Sequence, residues 1–270
     1  MIVLIRGGGD LASGVAYRLH KAGFRIVIAE LPKPLTVRRL ASFSEAIYSG
    51  EVTVEGISAK RVNEIDDPLR VLQLLSKGRI PVMVDPDGKS IQAVHPSVIV
   101  DSRMLKSAPE ALRHTAKLYI GLGPGFIGGA NCHAAIETQR GPWLGRVIWD
   151  GPTQSDSGIP ESIGIIKSER VLYAPTDGTL IPHKTISDFV HEGELIAEID
   201  NQPVFAPFQG ILRGLIHPGV EIRKGMKIGD MDPRNDPNLC NHVSDKSLAV
   251  GGGVLEAILS KPELRPHLWN

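Results

Sequence analysis

Tyr119–Gly141, YIGLGPGFIGGANCHAAIETQRG, holds the residue types from which a ligand site could be built. A short apolar run breaks into Gly121, Gly123, Gly125, Gly128 and Gly129, followed by Asn131, Cys132, His133, Glu137, Thr138 and Arg140. Glycines directly after a strand let backbone N–H groups approach a ligand closely, because no Cβ stands in the way. The polar residues keep neither a 2.0 nor a 3.6 period, so amphipathic packing accounts for them poorly. Bound anions or a pterin-like ligand would account for them. A strand, a tight turn and a solvated loop is the plainer alternative.

A second glycine turn comes earlier. The apolar run Ile2–Ile5 leads to Gly7, Gly8, Gly9 and Asp10, with Gly-x-Gly-x-x-Ala at 7, 9 and 12. A helical pattern follows and stops at Gly23; the next strand, Arg25–Ala29, is closed by Glu30, where a dinucleotide fold places the acid that binds a ribose 2′-hydroxyl. The same glycines would also serve close packing of helix on strand. Thr36–Tyr48 reads as a helix opening on Arg38 and Arg39, two cations where acids would complement the dipole. A phosphate held nearby explains them, and so does a solvated face. Arg103 follows the strand Val98–Asp101, at the carboxyl edge where open parallel sheets bind ligands.

The elements that position these residues alternate strand and helix. Val52–Val54 with Ser58–Val62 reads as a strand pair, Pro68–Lys77 as a helix with Leu69, Leu72 and Leu75 on its apolar face, Ile80–Val84 as a buried strand, and Tyr119–Gly121 as one more. Length 270 suits two domains. A formal net charge of +0 leaves no global field for nucleic acid or an anionic membrane, so any anion site is local. No apolar run approaches the ~20 residues of a membrane helix. MIVLIRGGG turns to glycine at once and reads as a strand, not a signal peptide. Two cysteines, Cys132 and Cys240, form no disulfide framework, which suits a reducing cytoplasm. Either thiol could carry a persulfide if its pKa were lowered, or be a small buried hydrophobe. Cys-x-x-Cys and His-Glu-x-x-His are both missing, so no structural zinc site is expected.

GGGDLASGVA at 7–16, the run RRLASFSEAIYSGEVTVEGISA at 38–59, IGLGPGF at 120–126, IETQRG at 136–141 and SDKSLAVGGGVLEAIL at 244–259 together resemble the YqeB family. These are accessory proteins of selenium-dependent molybdenum hydroxylases, related in part to the XdhC proteins. The resemblance implies a maturation factor that binds molybdenum cofactor, as molybdopterin or its dinucleotide, and assists its sulfuration, selenation or insertion. The implied partners are a molybdenum hydroxylase client and a sulfur or selenium donor protein, with a homodimer possible. On that reading Gly7–Asp10, Gly121, Gly123 and Gly125 cradle phosphate and pterin, and Arg38, Arg39, Arg103 and Arg140 supply charge. Asn131, His133 and Glu137 address the pterin edge, and Cys132 transfers chalcogen. The competing class is an NAD(P)-dependent oxidoreductase built on Glu30, with His95 or His133 as its acid–base group.

A repeat marks a second module. Ala174-Pro175-x-x-Gly178 recurs as Ala206-Pro207-x-x-Gly210, and Leu180, Gly193, Ile196 and Asp200 recur at the same offset of 32. Two such β halves resemble the biotinyl/lipoyl barrel-sandwich fold, in which neither half buries its apolar face alone. The connection Asp200–Pro203 has no lysine, and Lys227 beside Met226 is a poor substitute, so carrier function is not expected. Ser244 or Asp245 would cap a final helix through Leu259, whose Gly251–Gly253 would permit close packing. The expected architecture is therefore α/β: a Rossmann-like, mainly parallel sheet domain over 1–166, an inserted β module over 167–237, and a helix at 238–270 packing back on the first domain.

Overall fold

The computed structural model describes residues 1–63, 67–105, 109, 114–155 and 170–267. The boundary read at 166/167 and the stretch 156–160 lie outside them. The described residues within Met1–Pro34, Phe43–Ser157 and Val243–Asn270 form one compact unit; those within Leu35–Ser42 and Gly158–His242 form another.

In the first unit the chain runs β1 (Ile2–Arg6), α1 (Asp10–Lys21), β2 (Arg25–Glu30), α2 (Ala46–Ser49), β3 (Glu51–Val54), β4 (Ile57–Val62), α3 (Pro68–Ser76), β5 (Ile80–Val84), α4 (Ser90–Val94), β6 (Val98–Asp101), β7 (Leu118–Leu122), β8 (Ile127–Gly128), β9 (Ala134–Ile136), β10 (Val147–Ile148) and β11 (Gly151–Pro152). One nine-stranded sheet has the order β10-β9-β7-β6-β1-β2-β5-β4-β3, and β8 pairs separately with β11. Every neighbour pair in the large sheet is parallel except β3–β4 and β9–β10. The central strands are unbroken apolar runs because both faces are covered. Val3, Ile5, Ile28, Val100 and Ile120 join the core under α1, while Leu4, Val27, Ile99 and Tyr119 join the one under α3.

α5 (Asp245–Leu259) starts at Ser244, whose side chain accepts from the Ser247 N–H. It packs on α1 so closely that a Cβ on Gly14 would stand 2.4 Å from Ser247 Cβ. Backbone contact of this kind leaves no room for any residue but glycine at position 14.

Two local expectations fail. Thr36–Tyr48 is not one helix but two 3₁₀ turns, Arg39–Ala41 and Phe43–Glu45, leading into α2. Distant partners outcompete helical hydrogen bonding there: Arg38 and Arg39 reach carbonyls between 176 and 204 residues on, and the Phe43 N–H donates to Ser13 Oγ. Helix α3 buries Val71, Leu74 and Leu75 instead of Leu69 and Leu72, which face solvent.

The second unit holds β12 (Val171–Tyr173), β13 (Gly178–Pro182), β14 (Phe189–Val190), β15 (Leu195–Ile199), β16 (Gln202–Phe205), β17 (Gly210–Leu215), β18 (Glu221–Ile222) and β19 (Lys227–Asp232). They form two antiparallel sheets, β12-β19-β17-β14 and β16-β15-β13-β18. Exchanging each strand for its counterpart in the other half converts one order into the other. The registers obey the same offset: Leu180 pairs with Ile199 as Leu212 does with Met231, and Gly178 with Ile222 as Gly210 does with Val190. Each sheet draws two strands from each half, so neither half is a sheet by itself.

Candidate functional site

From β1 the large sheet grows in two directions, through β2, β5 and β4 on one side and β6, β7 and β9 on the other. Such a reversal leaves a crevice outside the carboxyl ends of the two central strands, and open α/β sheets bind ligands there. Here those strands are β1 and β6, which end on Arg6 and Asp101 in register.

The two side chains are buried and form an ion pair, Arg6 Nη1 to Asp101 Oδ2 at 3.7 Å. Arg103 grips the same carboxylate twice, Nε to Oδ1 at 3.0 Å and Nη2 to Oδ2 at 2.7 Å. Tyr119 donates its hydroxyl to Oδ2 at 2.8 Å. Burial, then the charge of Asp101, pushes the Tyr119 phenol well above its usual range, so it remains a donor. The other end of Arg6 lies along Gly88: a Cβ there would stand 3.3 Å from Nη2. Arg103 reaches solvent, with its side chain 21% exposed, and is followed by Met104 at φ 53°, a left-handed conformation that a methionine adopts at a cost. Ser102 completes the rim by donating its hydroxyl to Arg6 O.

Beside this rim sits the first glycine turn. Gly7 has φ 93°, and Gly9 precedes α1 in extended conformation. The Gly8 N–H does not face an open crevice, because it donates to Glu30 Oε1 at 2.8 Å. Glu30 Oε2 takes the Leu31 N–H. Both carboxylate oxygens are thus engaged by backbone, and burial raises the Glu30 pKa against the lowering effect of these two bonds. A ribose hydroxyl would have to displace them. Asp10 accepts from Ser247 Oγ of α5.

The second glycine turn is filled by the protein itself. A Cβ on Gly121 would stand 2.0 Å from the Phe126 ring, and one on Gly123 would stand 2.6 Å from Thr138 Oγ1. The polar residues after it serve the same closure. Asn131 accepts from the Ile127 N–H and donates to Gly125 O. His133 Nδ1 accepts from the Tyr119 N–H at 2.9 Å, which assigns its proton to Nε2. Glu137 receives three backbone N–H groups, from Thr138, Gln139 and Gln154. Gly125, Asn131, His133 and Glu137 therefore hold loops together, and the cradle expected of them is occupied by side chains.

The remaining candidates are also committed to the chain. Arg140 makes a bidentate pair with Asp245, at 2.7 Å to each oxygen, which holds the Asp245 carboxyl down to about 2. Arg38 is buried and donates to Leu239 O and His242 O, and Arg39 to Leu215 O, all within the second unit. Cys132 is fully buried among Tyr119, Phe126 and Ala135, and burial raises the Cys240 thiol pKa. Of the arginines expected at an anion site, only Arg103 stands at the switch point. Arg6, Asp101 and Tyr119 escaped sequence reading; the signal was a charged residue ending each of two buried apolar runs, IVLIR and VIVD. Among the described residues no cluster of three or more His, Cys, Asp or Glu is placed to hold a metal ion, and no helix is long and apolar enough to cross a membrane.

The chain is 42% identical over 258 residues to a protein of Escherichia coli (strain K12) described as "Uncharacterized protein YqeB". The match takes in 96% of this chain and 47% of the relative, so the chain spans about half the length of the curated relative it matches. No protein-family model matches. Among solved structures, an aspartoacylase family protein from Mesorhizobium loti MAFF303099 aligns at TM-score 0.25 and 11% identity over 78% of this chain and 58% of its own. A succinylglutamate desuccinylase/aspartoacylase from Rhodobacter sphaeroides aligns at TM-score 0.26 and 12% identity over 85% and 84%. The ectoine utilization protein EutE (DoeB) from Ruegeria pomeroyi aligns at 0.24 and 11% over 85% and 56%. Scores this low carry no inference about fold or activity.

Proposed function

We propose that this chain, similar along nearly its whole length to one half of YqeB, is an accessory protein that binds a phosphate-bearing cofactor at the crevice between β1 and β6. The resemblance in its motifs makes that cofactor molybdenum cofactor or its dinucleotide. The observation that carries the reading is Arg103: a solvent-reaching guanidinium at the topological switch point, beside the Gly7–Gly9 turn and the amino end of α1. The Nε–Nη2 edge of Arg103 is held by Asp101, so a phosphate would meet the solvent-facing side of the guanidinium, and the helix end favours the same charge.

The fit is partial. The phosphate end of the group suits Arg103 and the turn, whereas Asn131, His133 and Glu137 offer the pterin nothing that loop closure has not already taken. Both described thiols are buried, so the reading is one of holding and handing on a cofactor, with sulfur or selenium supplied by another protein. When bound, the cofactor would provide redox chemistry to a client hydroxylase; this chain's residues bind and orient. No geometry favours the oxidoreductase reading, since Glu30 is engaged by Gly8 and Leu31.

The second unit, on this proposal, is a biotinyl/lipoyl-type barrel sandwich without a carrier lysine. Its support is the exchange of strands between halves and the Asp200–Pro203 connection.

Purification from a molybdenum-replete host, with metal analysis and oxidation of any pterin to its fluorescent derivative, tests the binding. Charge-assisted bonds contribute about 1.5–3 kcal/mol each, so Arg103→Ala should lower occupancy roughly tenfold or more. If wild type, as purified or with cofactor added, carries no more pterin than Arg103→Ala, the proposal is wrong.

A further inference from the structure

The crevice at the switch point has two halves, one over the ends of β1 and β2 and the other over the ends of β6 and β7. In dinucleotide folds the first half takes a nucleoside, whose ribose lies on the acid that closes the second strand. Glu30 holds that position here, at the end of β2. The chain's own 3₁₀ turn Phe43–Glu45 lies against it and against the glycine turn. The Ser44 N–H donates to Gly8 O at 2.9 Å. The Phe43 N–H donates to Ser13 Oγ at 2.9 Å, and that hydroxyl donates to Gly8 O at 3.1 Å. A Cβ on Gly8 would stand 3.1 Å from Ser44 N and 3.3 Å from Glu30 Cγ.

Phe43 and Ser13 are wholly buried, and Ser44 and Glu30 nearly so. The bond from the Gly8 N–H to Glu30 could by itself be exchanged for one to a ribose hydroxyl. The turn could not, because lifting it would draw Phe43 out of the core under α1 and break the bonds that Phe43 and Ser44 donate. The half over β6 differs. Arg103 and Met104 come just after that strand and both reach solvent, and Asp101 fixes the guanidinium through two bonds.

We propose that this crevice takes a ligand with one phosphate and no nucleoside, and that Glu30, Phe43 and Ser44 set the preference by closing the nucleoside half with the chain itself. On the reading that Arg103 binds phosphate, on which this rests, the crevice selects molybdopterin with its single phosphate. It rejects the dinucleotide form, whose nucleoside would need the closed half.

The test purifies the full chain from a host that makes both cofactor forms, oxidises the bound pterin to its fluorescent derivative, and separates derivatives bearing one phosphate from those bearing a nucleotide. Relative to the host's own proportions, the single-phosphate derivative should be enriched at least tenfold, and Arg103→Ala should carry less of it. Circular dichroism verifies that this variant is folded; should it not be, Arg103→Gln replaces it, and the ratio of forms in wild type needs neither. In a second arm, CDP, GDP and ADP at millimolar concentration should leave the backbone amides of Gly8, Leu31 and Ser44 unshifted. Recovery of the nucleotide-bearing derivative without such enrichment, with Arg103→Ala still depleted, would overturn the selectivity and leave the phosphate reading standing. Saturable nucleotide shifts at those three amides would overturn the selectivity as well. Pterin no more abundant in either form than in Arg103→Ala would instead end the phosphate reading, and the selectivity with it.

Discussion

The two glycine-rich turns of the first unit look alike in sequence and do different work. Gly7–Gly9 follows β1 and opens α1 at the switch point, with Arg103 and Ser102 on its rim. Gly121–Gly129 begins in β7 and runs on past it, only one strand beyond β6, but its space is taken by Phe126, Thr138 and the loops that Glu137 ties down. A missing Cβ is a volume left open, and nothing in the glycine says whether a ligand or a neighbouring side chain will fill it. In the first turn the filler is a carboxylate on a backbone N–H, a bond that can be exchanged. In the second it is an aromatic ring in a close-packed core, which cannot.

That contrast can be broken experimentally. Gly121→Ala should be the most damaging change, since its methyl would overlap a buried ring; a loss of about 3 kcal/mol or more in denaturant unfolding is expected. Tolerance of this substitution would show that the second turn has room after all. Glu137→Ala strands three backbone donors and should cost about 2–3 kcal/mol by the same measurement. Glu30→Gln probes the first turn through pH. The folded-state pKa of Glu30 is raised above 4.5, so its stabilising contribution is complete below that value and is lost as pH rises through the folded pKa. Wild type should therefore gain on Glu30→Gln as pH falls from neutrality towards 4.5; a flat difference would mean that burial does not govern this carboxyl. Arg140→Ala should do least, about 0.2–1 kcal/mol, because the pair with Asp245 is exposed. Its contribution is present above pH 3.8 and lost as pH falls towards about 2, so thermal melts of the variant and wild type should converge in acid.

The parallel sheet was legible because its central strands are continuous apolar runs and its turns carry glycine, both local signals. The 32-residue repeat was legible too, and it reappears in the strand registers. The site was not, for reasons of distance. Arg140 finds Asp245 across 105 residues, and Arg38 finds His242 across 204, so sequence could count these cations but not what they neutralise. The same long-range bonds dissolved the helix read at Thr36–Tyr48, whose local pattern was sound. The Arg6–Asp101 pair is hidden by distance too, since each charge ends its own apolar run and nothing local says that the two strands are neighbours.

The contact between α1 and α5 has a consequence for how this chain comes into being. Asp10 and Ser247 are hydrogen-bonded although 237 residues separate them. A ribosome adds roughly 5–20 residues per second, so on the order of tens of seconds pass between the emergence of α1 and that of its partner helix. Until α5 is made the face of α1 around Gly14 lacks its native partner, whereas all the strands that pair within Val171–Asp232 precede α5 in the chain. The part of the first unit's core that Val250, Val254 and Ile258 close is thus completed only once α5 is made.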